Sequence, residues 1–299
     1  MPALDEFISA DDLERLIETA RGEDLGPDGL DATSSLFIEA DRDCVARIVT
    51  RQGGVLSGLA LLPAIVKAYD PAVKIQTSAV DGATIEPGDV VAELCGPLRS
   101  VLMLERVALN FAGHLSGVAT HTAEFARRIA HTPAKVYDTR KTLPGLRGLQ
   151  KYAVACGGGG THRMGLYDAV LIKDNHLAHV PPERMTEALR AMTERARREI
   201  PGLKFVMVEV DTLDQLARVL PTGVDLVLLD NMSPDVLMQA VAQRDAAAQA
   251  SGYRTELEAS GGITLDTVRA AAEAGVDRIS VGALTHSSVN LDLGLDIEG

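Results

Sequence analysis

Tryptophan is absent from this 299-residue chain, and five Tyr with five Phe bring the aromatic content to only 3%. So few rings exclude the stacking platforms that hold single-stranded nucleic acid. Cations are also in short supply: 29 Lys and Arg stand against 42 Asp and Glu, a formal net charge of −13. A phosphate-backbone footprint needs the opposite sign, so nucleic acid is not an expected partner. Only three cysteines occur, Cys44, Cys95 and Cys156, far apart and without a C-x-x-C pair. That excludes a zinc ribbon and argues against a disulfide framework. The longest apolar stretch, Leu56 to Val66, is interrupted by Ser57, Gly58 and Pro63 and is too short to span a bilayer. The amino terminus, MPALDEFISADDLERL, is acidic and amphipathic, with no signal-peptide apolar core. A cytoplasmic protein without a membrane partner is expected. At 46% hydrophobic residues, it can bury one large core or two smaller ones.

Periodicity divides the chain. Residues 9–21 suit a helix with Ser9 as N-cap and Leu13, Leu16, Ile17 and Ala20 on one face. A strand over 43–50, a helix over 58–69 and strand-like runs at 73–80 and 89–94 make the first third α+β. A long helix over 100–130 is apolar around most of its circumference. Its exception is a stripe at helical spacing, Arg106, Asn110, Gly113/His114 and Gly117, which faces a polar cavity, another subunit or, through a snorkelling arginine, solvent. From residue 134, six β-rich runs (134–139, 168–174, 204–211, 225–231, 255–261 and 278–282) alternate in their later part with helices near 182–200, 212–220, 233–250 and 264–275. Such βα alternation implies a parallel sheet or barrel, here with six strands against the eight of a complete TIM barrel. The expected fold is therefore an N-terminal α+β open sandwich domain over 1–115 and an incomplete, six-stranded α/β barrel over 116–286. The tail, 287–299, would pack on the first domain.

One segment runs against the global charge. Between Lys135 and His176 lie Lys135, Arg140, Lys141, Arg147, Lys151, Arg163 and Lys173, opposed by Asp138, Asp168 and Asp174. Gly157 to Gly160 interrupt it, and their bare amides suggest a cradle for anionic oxygens. With His162 and His176 nearby, the segment suggests a pocket for small, highly charged anions. The plain alternative is a solvated basic loop beside a hinge. Cys156 is either a nucleophile or, more commonly for its type, a small buried hydrophobe.

In a β/α barrel the carboxyl ends of the strands share the rim that bears the active site. Those ends carry Arg140-Lys141, Lys173, Glu209, Asp230, Ser260-Gly261-Gly262 and Gly282. Period-2 alternation places Phe205, Met207 and Glu209 on one face of their strand and the valines 206, 208 and 210 on the other. The β-branched row suits the helices, which turns Glu209 inward beside Asp230. Two carboxylates among cations coordinate Mg²⁺, hold ribose hydroxyls, or balance charge. Glycines at two neighbouring strand ends, in SGGI and VGALTHS, suit a phosphate.

At this point the residues become recognisable. DTRKTLPGLRGLQKYAVACGGGGTHRMGLYDAVLIKDNH closely resembles the signature stretch of the quinolinate phosphoribosyltransferases. EDLGPDGLDATSSL, GGVLSGL, LERVALNFAGHLSGVAT, VMVEVDTLDQL, VLLDNMSP, EASGGI and ISVGALTHS extend the likeness over nearly the whole chain, in order. The resemblance implies transfer of phosphoribose from phosphoribosyl pyrophosphate (PRPP) to the ring nitrogen of quinolinate. Carbon dioxide and pyrophosphate are lost, and nicotinate mononucleotide forms for NAD biosynthesis. It implies a homodimer and Mg²⁺. By motif, Thr139, Arg140, His162, Arg163 and Lys173 would bind quinolinate, together with Arg106 contributed across the dimer interface. Lys141, Glu209 and Asp230 would be the catalytic groups at the ribose, pyrophosphate and Mg²⁺, the two acids ligating the metal directly or through water. Ser260, Gly261, Gly262, Gly282, Ala283 and His286 would hold the 5′-phosphate side of PRPP. One departure is visible: the family usually has Asn before the His-Arg pair, and this chain has Thr161.

Other readings compete. A molybdate-transport-associated relative shares much of the sequence, but the DTRKT and HR motifs favour the quinolinate enzyme. A Schiff-base lyase would use Lys173 and leave Arg140, His162 and Arg163 unexplained. IEPGDVVAEL resembles the hairpin of biotinyl and lipoyl carriers, yet lacks their exposed lysine.

Overall fold

The structure is a computed structural model and describes residues 2–298. Ser9 starts the first helix, Ala10–Leu25, by accepting the Asp12 N–H at 3.1 Å, and Gly26 ends it at φ 66°. Twelve strands are found among the described residues: β1 Asp43–Thr50, β2 Gly54–Val55, β3 Lys74–Thr77, β4 Thr84–Ile85, β5 Val90–Pro97, β6 Lys135–Tyr137, β7 Val170–Ile172, β8 Val206–Val210, β9 Leu226–Asp230, β10 Glu256–Ser260, β11 Arg278–Ser280 and β12 Leu293–Ile297. Chain packing defines two units. One holds the chain up to Ala123, Thr142–Gly158 and the chain from Leu284 onward; the other holds Glu124–Lys141 and Gly159–Ala283.

In the first unit an antiparallel sheet runs β12-β1-β5-β3, with Ile48 opposite Leu295 and Ala46 opposite Leu94. The carboxyl-terminal strand thus lies on the edge of the amino-terminal sheet. Helix Leu98–Ile129 supplies much of the core of this unit through Val101, Leu104, Ala108, Ala112 and Leu115, all buried. Its expected stripe divides in two. Arg106, Asn110 and His114 border one cavity, together with Glu23 and Asp24. Gly113 and Gly117 instead make room for the tail, because a Cβ on either would come within 2.9 Å of the Leu291 carbonyl or 2.1 Å of the Val289 carbonyl. The EPGD turn joins no hairpin: β4 pairs only with β2, and β5 lies between β1 and β3. The likeness to a carrier-domain hairpin is therefore one of sequence alone.

The second unit is a six-stranded parallel sheet in the order β6-β11-β10-β9-β8-β7. Each later strand is added beside its predecessor and the last pairs with the first, which is the winding of a barrel left open between β6 and β7. All six expected strands are present, each shorter than its β-rich run because the flanking residues leave the ladder at the rim. Met207, Leu226 and Leu228 form one cluster, with Leu171 and Phe205 against it. Val206, Val208 and Val210, on the opposite face of β8, are buried as well. Helices Met185–Glu199 and Leu213–Val219 bury Leu189, Ala196, Leu216 and Val219. Each such leucine stabilises by about 1.5–3 kcal/mol relative to an exposed one. The face made by β6, β11 and β10 is polar instead. Arg278 pairs with Glu256 at 2.6 Å and lies 4.7 Å from the Tyr137 ring centroid.

Helix Arg147–Cys156 was not anticipated, nor were the short helices Ala32–Phe37, Asp174–Leu177 and Ala283–His286; the charges of the first conceal burial on every side, from Leu149 through Val154.

Candidate active site

The segment from Gly159 to Arg163 runs along the open edge of the barrel. Gly160 bridges to Tyr137 of β6, its N–H donating to the Val136 carbonyl at 2.7 Å while its own carbonyl accepts the Asp138 N–H at 3.2 Å. Only glycine fits there, since a Cβ would meet the Tyr137 ring at 2.5 Å. This corrects the expected amide cradle. The N–H groups of Gly157, Gly158 and Gly160 already donate to Ala153, Ala155 and Val136 carbonyls, and so serve the backbone. Glycine is required at 157 because a Cβ would sit 2.3 Å from the Ala119 carbonyl, and at 158 because φ is +82°.

What the bridge positions is the next pair of residues. His162 and Arg163 are both buried. The His162 N–H donates to Asp138 Oδ1 at 2.8 Å, and its ring meets Phe205 edge-on at 5.2 Å. His162 Nδ1 accepts the Arg163 N–H at 2.8 Å, which leaves the ring proton on Nε2. Arg163 Nη1 donates to the Ala169 carbonyl at 3.2 Å. Burial lowers the pKa of this guanidinium, and the neighbouring Arg140 lowers it further, against a smaller opposing effect of Asp168. Arg140 itself has a buried Nε with no hydrogen-bond partner. Two cations that repel each other beside a buried donor make a site for a polyanion. Asp168 is committed elsewhere. Burial would raise its pKa, but the Gly165 and Met164 amides and Lys204 outweigh that and hold it below the usual carboxylate range.

At the next strand ends, Lys173 donates to Glu209 in an ion pair, with side chains 43% and 18% exposed. A Schiff-base lysine needs a desolvated, neutral amine, and this partly exposed ion pair provides neither. Glu209 and Asp230 end adjacent strands and line one cavity of about 440 Å³, within the range of small-molecule sites. Asn231 follows with φ 55°, the one non-glycine residue in the left-handed region among the described residues. Its amide donates to Asp230 Oδ2 at 2.8 Å and its backbone N–H to the Ser260 carbonyl at 2.9 Å, so it ties the ends of β9 and β10 together. Gly261, at φ +93°, has no room for a Cβ, which would meet Asn231 Oδ1 at 2.2 Å; Gly262 follows at φ +59° on the rim. Gly282 comes two residues after the end of β11, and the one-turn helix Ala283–His286 begins at the next residue. Thr139 Oγ1 accepts the Lys141 N–H at 3.0 Å and so shapes the turn after β6.

Within the barrel unit the structure thus places Thr139, Arg140, Lys141, His162, Arg163, Lys173, Glu209, Asp230, Ser260, Gly261, Gly262 and Gly282 at or just beyond the strand ends and along the open edge. Arg106 and His286 belong to the other unit. Cys156 is buried and its thiol is pushed up by that burial, which makes it a poor nucleophile. Asp138, counted only among the acids of the basic segment, and Asn231 and Glu258 were not singled out as site residues from the sequence. Alternation could have revealed Glu258, which shares a face of β10 with Glu256 and Ser260. Among the described residues no group of three or more His, Cys, Asp or Glu side chains forms a metal cage, and no helix is long and apolar enough to cross a membrane.

Residues 31–116 match the N-terminal domain model of quinolinate phosphoribosyl transferase and residues 118–296 match its C-terminal domain model. The chain belongs to the quinolinate phosphoribosyl transferase family. It is 41% identical to the nicotinate-nucleotide pyrophosphorylase (carboxylating) of Mycobacterium leprae, over 90% of this chain and 92% of that one. A probable enzyme of the same name from Bacillus subtilis is 37% identical, over 95% and 93%. The solved nicotinate-nucleotide pyrophosphorylase of Francisella tularensis superposes with a TM-score of 0.85 at 35% identity, covering 97% of this chain and 98% of that one.

Proposed function

We propose that this protein transfers phosphoribose from PRPP to quinolinate and releases pyrophosphate and carbon dioxide, leaving nicotinate mononucleotide. The observation that carries this reading is the guanidinium pair of Arg140 and Arg163, whose mutual repulsion a dicarboxylate relieves. Thr139, His162 and Lys173 complete the quinolinate pocket, and Arg106 reaches it from the second protomer of a homodimer. Rigid capture of both carboxylates presents the ring nitrogen to the anomeric carbon. Glu209 and Asp230 face the positive charge that develops on the ribose as pyrophosphate departs. Lys141 meets the pyrophosphate, and Ser260, Gly261, Gly262, Gly282, Ala283 and His286 hold the 5′-phosphate side.

Two carboxylates on adjacent strands, which join no group of three or more potential ligands among the described residues, fit Mg²⁺ held jointly with substrate phosphates rather than in a protein cage. Glu209 and Asp230 would hold it, and it would neutralise charge on the leaving pyrophosphate. After transfer, the pyridinium nitrogen stabilises the carbanion left as the adjacent carboxylate departs as carbon dioxide, and a proton from water completes the nicotinate ring. Purified protein with quinolinate, PRPP and Mg²⁺ should yield nicotinate mononucleotide and carbon dioxide in equal amounts. No product with either Mg²⁺ or Mn²⁺ would refute the reading.

A further inference from the structure

The polar side of the barrel contains an acid that the reaction above does not use. Glu258, in the middle of β10, is fully buried, and neither carboxyl oxygen has a hydrogen-bond partner. Its Oε1 lies 3.6 Å from His162 Nε2, the nitrogen that bears the ring proton. A few tenths of an ångström separate that contact from a hydrogen bond. A buried carboxyl without a hydrogen bond costs several kcal/mol unless something compensates, so its place beside His162 calls for a role.

We infer that Glu258 is a positioning residue which, through His162, sets the charge and the alignment of the quinolinate-binding pair His162-Arg163. The path is continuous. Glu258 faces the Nε2–H of the ring, Nδ1 accepts the Arg163 N–H, and Asp138 holds the His162 N–H from the other side. The groups facing Glu258 are Asp138 after β6, Arg278 and Ser280 on β11, Glu256 on its own strand, and His162. Burial raises the Glu258 pKa to about 7, and Asp138 and Glu256 act in the same direction against Arg278 and Ser280. Near neutral pH the barrel interior therefore carries either a neutral acid or an anion below the substrate carboxylates. A dianionic substrate favours the neutral form, so binding takes up a proton.

This inference rests on the proposal that His162 and Arg163 meet quinolinate. Calorimetric titration of the full-length protein with quinolinate, in buffers of different ionisation enthalpy, reads the protons taken up. With a titration near pH 7, uptake in the wild type should be about half a proton at that pH and should rise above it. The quinolinate KM should rise roughly tenfold between one unit below and one unit above, with kcat nearly unchanged. Glu258→Gln keeps the shape and removes the proton: uptake should vanish and the KM profile should flatten. Wild type that binds quinolinate without proton uptake overturns the inference, whether or not the variant folds. So does a folded Glu258→Gln protein with unchanged uptake. Wild type that does not bind quinolinate overturns the proposed function itself, and this inference with it.

Discussion

Replacing Arg163 with Ala tests the anion pocket most directly, because the structure sets opposite expectations for binding and for stability. The side chain is 8% exposed, so its contact with a carboxylate is desolvated and not screened like a surface ion pair. A charge-assisted contact of that kind contributes about 2–4 kcal/mol. At about 1.4 kcal/mol per decade, quinolinate Kd should rise roughly 30- to 700-fold. An exposed pair would give less than about 1 kcal/mol. Stability should change little. The fold loses the hydrogen bond to the Ala169 carbonyl, but it also loses the repulsion with Arg140 that lowers the Arg163 pKa. Arg163→Lys should fall between wild type and Ala, since a lysine keeps the charge and gives up the planar fork. The chain has no tryptophan, so calorimetry reports binding and a melt followed by circular dichroism reports the fold. A folded Arg163→Ala protein with unchanged quinolinate affinity would refute the reasoning.

Gly160→Ala should cost about 1–3 kcal/mol by overpacking, since its Cβ would lie 2.5 Å from the Tyr137 ring, and a lowered Tm should accompany lost quinolinate binding. Asp168→Asn should destabilise at neutral pH. The folded-state pKa of Asp168 is depressed, so its contribution is present above the ordinary aspartate value near 3.8 and is lost as pH falls through the folded value. The Tm difference between wild type and variant should therefore shrink in acid; a constant difference would show that the carboxylate charge is not the cause. Arg106→Ala and Lys173→Ala should each be nearly inactive alone, yet recover toward half of wild-type activity in mixed dimers, where one site carries both lesions and the other neither. Verified subunit exchange without recovery would show that Arg106 acts within its own chain.

Local signals in the sequence were read correctly at Ser9 and in β8, whereas the equally local cap of helix Ala32–Phe37, where Asp31 accepts the Thr33 and Ser34 N–H groups, was overlooked. Ser9 capping the Asp12 N–H involves residues three apart, and the alternation of Phe205, Met207 and Glu209 against three valines involves neighbours. The barrel strands could be found this way, since each is a short apolar run that a helix follows or precedes. Helix Arg147–Cys156 was not legible, because buried Gln150 and Lys151 look like surface residues until their surroundings are known. Gln150 is satisfied by His114 at 2.9 Å and by the Thr285 carbonyl at 2.7 Å, from segments remote in sequence.

The motif stretch from Asp138 to Lys173 identified the family, and composition argued against a nucleic-acid footprint, because charge and residue type are properties of the chain itself. The use of each group was decided by the tertiary structure. The amides of Gly157, Gly158 and Gly160 were free for an anion in the sequence and are consumed by carbonyls in the fold. Lys173 read as one of seven cations of the basic segment and is paired with Glu209, 36 residues on. Glu258 read as one more acid among 42 and is the one placed against His162 in the barrel. A side chain's chemistry depends on its desolvation and on the charges around it, and both are set by residues distant in sequence that only folding brings within a few ångströms.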